Sequence, residues 1–159
     1  DKYFDEYDLR QQIKSNTKNE LSSSQEINQT LNVAYKTFKE RLNQEVAILD
    51  TKGKVFTATH KNAFVETTDD CDKIISEITE LMKETESAKQ RMKALCDEYL
   101  AQCKSLKINK DMQTEYINLI EALKISSLNF ANDMMNQLKT GENSVLQAKI
   151  TIIESNPSK

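Results

Sequence analysis

Residues 67–108 read TTDDCDKIISEITELMKETESAKQRMKALCDEYLAQCKSLKI. Counting from Ile74 in alternating steps of four and three gives Ile74, Ile78, Leu81, Thr85, Ala88, Met92, Leu95, Tyr99, Gln102 and Leu106, eight of the ten apolar. That spacing gathers the apolar side chains on one face of an α-helix, and no Gly or Pro interrupts it. Lys83, Glu84, Lys89, Arg91, Asp97 and Glu98 fill the intervening faces. Thr67, Thr68, Asp69 and Asp70 form an N-terminal cap, with acids where the helix dipole favours them. The stretch predicts a helix over 67–108, about 60 Å long at 1.5 Å per residue.

The segments on either side carry comparable stripes. Leu31, Tyr35, Phe38, Leu42, Glu45, Leu49, Lys52, Phe56, Thr59 and Ala63 follow the same steps, seven of ten apolar, and Ser23 with Glu26 makes a capping box ahead of them. Tyr116, Ile120, Leu123, Ser127, Phe130, Met134, Leu138, Gly141, Val145, Ala148 and Ile152 form the third stripe, nine of eleven apolar, with one four-four slip. Gly53 and Gly141 are the weak points, because Gly in a helix interior costs about 1 kcal/mol relative to Ala. Both stripes keep phase across their glycine, which favours unbroken helices. The fold expected is all-α: an antiparallel bundle of three long amphipathic helices at about 24–65, 67–108 and 111–154, joined by connections of one to four residues. If both glycines break their helices, a compact bundle of five or six helices replaces it. Residues 1–22, with Tyr3, Phe4, Tyr7, Leu9 and Ile13, suggest a short helix or arm ahead of a bundle domain at 23–155, and 156–159 a disordered tail.

Composition agrees with few chain reversals. Among 159 residues there are 2 Gly and 1 Pro, too few for a fold that turns often. Net charge is −3 with acids and bases interspersed, so no basic stripe suggests nucleic acid or an anionic membrane as partner. No run of 18 apolar residues suggests a transmembrane helix. Cys71, Cys96 and Cys103 are odd in number and poorly spaced for a disulfide framework, and Cys96 and Cys103 on one helix lie roughly 10 Å apart. Three reduced, buried thiols lean towards a cytoplasmic compartment, while a chain starting at Asp1 leaves secretion open.

Catalytic and metal-binding chemistry finds little support in these residues. His60 stands alone beside Lys61, with no Ser-Gly elbow, and no Glu-x-x-His pair offers di-metal ligands. Asp69, Asp70 and Asp72 lack the Gly and closing Glu of a calcium loop, and helix capping accounts for them. No catalytic residue, metal or cofactor is therefore expected. Met82, Met92, Met112, Met134 and Met135, with Phe38, Phe56 and Phe130, read as core, with a pocket for a small apolar ligand as the alternative.

The apolar faces are wider than one core needs. Ile75, Met82 and Cys96 flank the stripe of the second helix, and Ile117, Leu119, Ile125, Leu128, Met135, Ile150 and Ile153 flank that of the third. Ile75, Met82, Ile117, Leu128, Met135 and Ile153 are the candidate interaction face. The function expected is a non-enzymatic protein–protein interaction or scaffold module, binding another protein or a second copy. The alternative is a secreted helical binding protein holding a small apolar ligand or a target protein, with Asn28-Gln29-Thr30 as a glycosylation triplet.

Overall fold

The computed structural model describes residues 25–61, 64–106 and 109–155, with side chains from Gln29 onward. Residues 1–22, where a short helix or arm is expected, and the expected tail at 156–159 lie outside the described residues. Three α-helices and, among the described residues, no strand make up the fold: α1 (Gln25–His60), α2 (Thr68–Ser105) and α3 (Lys110–Ser155). Each helix touches both others, so the chain is an all-α three-helix bundle. The five- or six-helix alternative is overturned, because α1 runs through Gly53 and α3 through Gly141, and neither glycine has a positive φ.

The starts of α2 and α3 follow the capping chemistry of the sequence, while Ser23 of the capping box expected ahead of α1 lies outside the described residues. Thr67 Oγ1 accepts the N–H of Asp70, while Asp70 Oδ2 accepts the N–H groups of Thr67 and Glu66. This reciprocal box satisfies donors that α2 cannot use internally. It also fixes residues 66–67 outside any helix, and α1 ends at His60, short of the expected residue 65. The first connection is consequently longer than the one to four residues expected. At the far end of α2, Asn109 Oδ1 caps α3 by accepting from Asp111 and Met112, and Gln113 Nε2 donates to the terminal carbonyls of Cys103 and Lys104.

The described chain divides into two units, each drawing on all three helices. The first contains α1 up to Val46, together with Lys89–Phe130. Glu45 pairs with Arg91 and Leu31 with Tyr99, so α1 and α2 are antiparallel; Gln113 with Cys103 and Lys124 with Asp97 show the same for α2 and α3. Its core holds an aromatic cluster. Phe38 stacks on Tyr99 at 5.0 Å between centroids, Tyr35 lies 5.9 Å from Tyr99, and the Tyr99 hydroxyl donates to the Leu31 carbonyl at 2.9 Å. Tyr116 is also buried, and its hydroxyl donates to Asn32 Oδ1. Burial, reinforced by the neighbouring Cys103, Tyr116 and Tyr35, holds the Tyr99 phenol well above its ordinary range.

The second unit contains Ala47–Ala88 and α3 from Ala131 onward. Lys52 to Glu84 and His60 to Glu77 join α1 and α2 antiparallel, and Lys149 to Asp72 joins α2 and α3. Leu49, Cys71, Ile78, Leu81, Thr85, Ala88, Ala131, Met134 and Leu138 are its buried side chains. Thr85 is satisfied by donating to the Leu81 carbonyl at 2.7 Å. Beyond Leu49 on α1 and Leu138 on α3, no described side chain is fully buried.

Two stripes depart from the strict step pattern. On α1 the inward positions run Leu31, Tyr35, Phe38, Leu42, Val46, Leu49, Gly53, Phe56 and His60, so Val46, Gly53 and His60 replace Glu45, Lys52 and Thr59. On α2 they run Ala88, Met92, Cys96, Tyr99 and Cys103, so Cys96 and Cys103 join the core while Leu95 is half-buried and Gln102 exposed. Each departure is one extra step of four, as at Phe130, Met134 and Leu138 on α3. Such a step compensates for the mismatch between 3.5 and 3.6 residues per turn and locally unwinds a coiled coil.

The glycines sit differently in this frame. A methyl group on Gly141 would lie 3.9 Å from Ile78 Cδ1, an ordinary contact, whereas one on Gly53 would lie 3.3 Å from Met134 Cε. Gly141→Ala is therefore expected to stabilise the protein by about 1 kcal/mol, and Gly53→Ala by less, because Met134 must give way. Urea unfolding followed by far-UV circular dichroism checks this; a destabilised Gly141→Ala would contradict it.

Asp70 provides a pH test. Its hydrogen bonds from the Glu66 and Thr67 N–H groups hold its carboxyl below the ordinary range. A carboxyl lowered on folding stabilises above its unfolded pKa, and that contribution disappears as pH falls through the folded value. Asp70→Asn should lower stability at neutral pH and match the parent at acid pH, where both side chains are neutral. An equal loss at both would show that charge plays no part in the cap.

Candidate interaction surface

Large apolar side chains exposed to solvent gather in the second unit. Of eight such residues described, Ile48, Val55, Phe64, Leu146, Ile150 and Ile153 belong to it, and Val33 and Ile125 to the first. The thin core explains the difference, since α1 past Leu49 and α3 past Leu138 bury no side chain fully and leave flanking apolar residues at the surface. Two faces result.

One face lies along α2 and α3. The Lys149 ammonium donates to Asp72 Oδ1 at 2.6 Å and fixes which flanks face each other. Ile75 and Met82, seven apart, are half-buried on the same flank of α2 as Asp72. Leu146, Ile150 and Ile153, spaced i, i+4 and i+7, form one strip beside Lys149 on α3, 40–51% exposed. Three of the expected face residues, Ile75, Met82 and Ile153, thus belong to the second unit, on the two helices that the Asp72–Lys149 pair joins. Met135 is half-buried on the same helix of that unit, whereas Ile117 and Leu128 are half-buried in the first unit. Of the six, only Ile153 is exposed, at 51%. Leu146 was missed because it falls next to the Val145 stripe position, and only the bundle shows that it points outward.

The other face is a groove between α1 and α2, open along its length, with a volume of about 490 Å³. Val55, Phe56 and Leu81 supply its apolar part, and Glu77, Glu80 and Glu84 line its α2 side. His60 closes one end. Its ring packs on Phe56 at 4.6 Å between centroids, and its Nε2 meets Glu77 Oε2. The lone histidine is therefore engaged with a carboxylate on the neighbouring helix and not with a nucleophile. Ser76 lines the same groove, but helical N–H groups are committed to their own ladder and supply no oxyanion-binding donors.

The acids and thiols have structural roles. Asp70 caps α2 and Asp72 pairs with Lys149. Among the described residues, no group of three or more His, Cys, Asp or Glu is placed to hold a metal ion. Asp97 is lowered, and Lys124 raised, chiefly by the hydrogen bond between them. Met92, Met112, Met134, Phe38 and Phe130 are core, while Met82, Met135 and Phe56 are half-buried. Among the described residues, no helix is long and apolar enough to cross a membrane.

Cys71, Cys96 and Cys103 are all free and fully buried on α2. Burial pushes Cys96 up to about 12 and Cys103 to about 11, and raises Cys71 with help from Asp72 and Asp70. Thiolate is the reactive form. At about pH 8 the native protein should react with an aromatic disulfide reagent at least ~100-fold more slowly than the urea-unfolded chain. Rapid native labelling at Cys96 or Cys103 would show that the first unit opens freely.

Comparison with protein-family models, with curated proteins and with solved structures finds no match.

Proposed function

We propose that the chain is a non-enzymatic helical-bundle module for protein–protein interaction or scaffolding, with the α2/α3 face of the second unit as its contact surface. The observation that carries this reading is the exposed strip of Leu146, Ile150 and Ile153 on α3, on the helix flank that Lys149 ties to Asp72 of α2. Apolar side chains in a continuous strip cost free energy in water, at roughly 25 cal/mol per Å², and that cost is recovered when a partner covers them. Long helices offer such a strip on a rigid support, which lowers the entropy lost on docking. The open groove and the engaged His60 support binding over catalysis, since neither isolates a substrate from water.

The test is the mass in solution by light scattering, at increasing concentration and with reductant. The parent protein is expected to exceed the 18.3 kDa of one chain. Ile150→Asp with Ile153→Asp, both at exposed positions, should return it to one chain without loss of helicity. A parent that stays at one chain throughout overturns self-association. A photo-crosslinker at Ile150 in the cell of origin then decides whether another protein covers the face.

A further inference from the structure

The α1/α2 groove of the second unit has a composition distinct from the α2/α3 face. Val55, 59% exposed, and Phe56 form an apolar wall on α1, with Leu81 at the floor. Ile48, one heptad before Val55 and so on the same face of α1, is 51% exposed and lies just beyond the residues that line the groove. The α2 side is acidic. Glu77, Glu80 and Glu84 recur at i, i+3 and i+7, so their carboxylates stand in a row along the groove. Lys52 meets Glu84, His60 meets Glu77 and Lys83 meets Glu80, each through one carboxylate oxygen, and the glutamate side chains remain 43–67% exposed. Exposed pairs of this kind exchange partners readily.

We propose that this groove docks an amphipathic helix whose apolar stripe is bordered on one side by lysines or arginines. The inference rests on the interaction reading above and names a class of partner for a second surface. A helix laid along the groove sets apolar anchors one heptad apart against Ile48 and Val55. Its basic residues then face Glu77, Glu80 and Glu84, where charge complementarity fixes orientation and register. An acidic helix would place like charges along the same edge and be rejected.

The probe is a fluorescein-labelled peptide of about three Leu/Lys amphipathic heptads, with a Leu/Glu peptide of the same pattern as its counterpart. Fluorescence anisotropy with the full chain is expected to show the Leu/Lys peptide binding at least ~10-fold more tightly than the Leu/Glu peptide. Val55→Asp should weaken Leu/Lys binding at least ~10-fold. Glu77→Lys, Glu80→Lys and Glu84→Lys together should reverse the preference. Glu115→Lys, Glu121→Lys and Glu142→Lys together, away from the groove, should leave it unchanged. Circular dichroism confirms that each variant is folded.

No binding, binding indifferent to Val55→Asp, or equal loss in the control triple would overturn the proposal. So would a parent mass above one chain that falls on Val55→Asp with no peptide bound, which would mean that a second copy fills the groove. Failure here is separable from failure of the α2/α3 reading, because that reading is tested by Ile150→Asp and Ile153→Asp on mass and this one by peptide affinity.

Discussion

Both units are built around the buried stripe of α2. In the first, Met92, Cys96, Tyr99 and Cys103 turn inward, with Tyr99 stacked on Phe38 and tied to the Leu31 carbonyl. In the second, Cys71, Ile78, Leu81, Thr85 and Ala88 do so, with Lys52 and His60 of α1 on one flank and Lys149 of α3 on the other. A helix with neighbours on two sides must keep its inward stripe continuous, because any polar side chain placed there must find a partner or be desolvated unpaired. Thr85 meets that condition through the Leu81 carbonyl.

That constraint explains why strict counting in fours and threes drifts out of register. Carried past Leu42 on α1, the count lands on Glu45, Lys52 and Thr59, the first two of which the structure uses for ion pairs with α2. One step of four moves the stripe to Val46, Gly53 and His60. The signal was present, since Val46 is apolar and Glu45 is not, and the same holds for Cys103 beside Gln102. Gly53 hides it, because a residue without a side chain adds nothing to an apolar count although its position faces Met134.

The thin core of the second unit accounts for the exposed apolar surface on which the proposed function rests. Phe56 and His60 on α1, and Val145, Ala148 and Ile152 on α3, point inward yet remain partly exposed. Their neighbours Val55, Leu146 and Ile150 are then left in water. The candidate faces are the surplus apolar surface of a short core, bordered by the carboxylates that make the helices amphipathic. The sequence places Ile75, Met82 and Ile153 of the second unit on one expected face with Ile117 and Leu128 of the first, because periodicity gives a direction around one helix and not the depth of its cover.

The amino-acid sequence alone determined that the chain is helical, where α2 and α3 begin, and that three segments bury one stripe each. Those properties come from short-range effects: side-chain spacing, capping by Thr67, Asp70 and Asn109, and the scarcity of turn residues. Tertiary structure decided the rest. It carried α1 and α3 through their glycines, ended α1 at His60, set Glu77 against His60, and brought the Glu77–Glu84 row beside Val55. These outcomes depend on contacts between residues tens of positions apart, whose energies arise only when helices are laid side by side and no single-helix pattern records them.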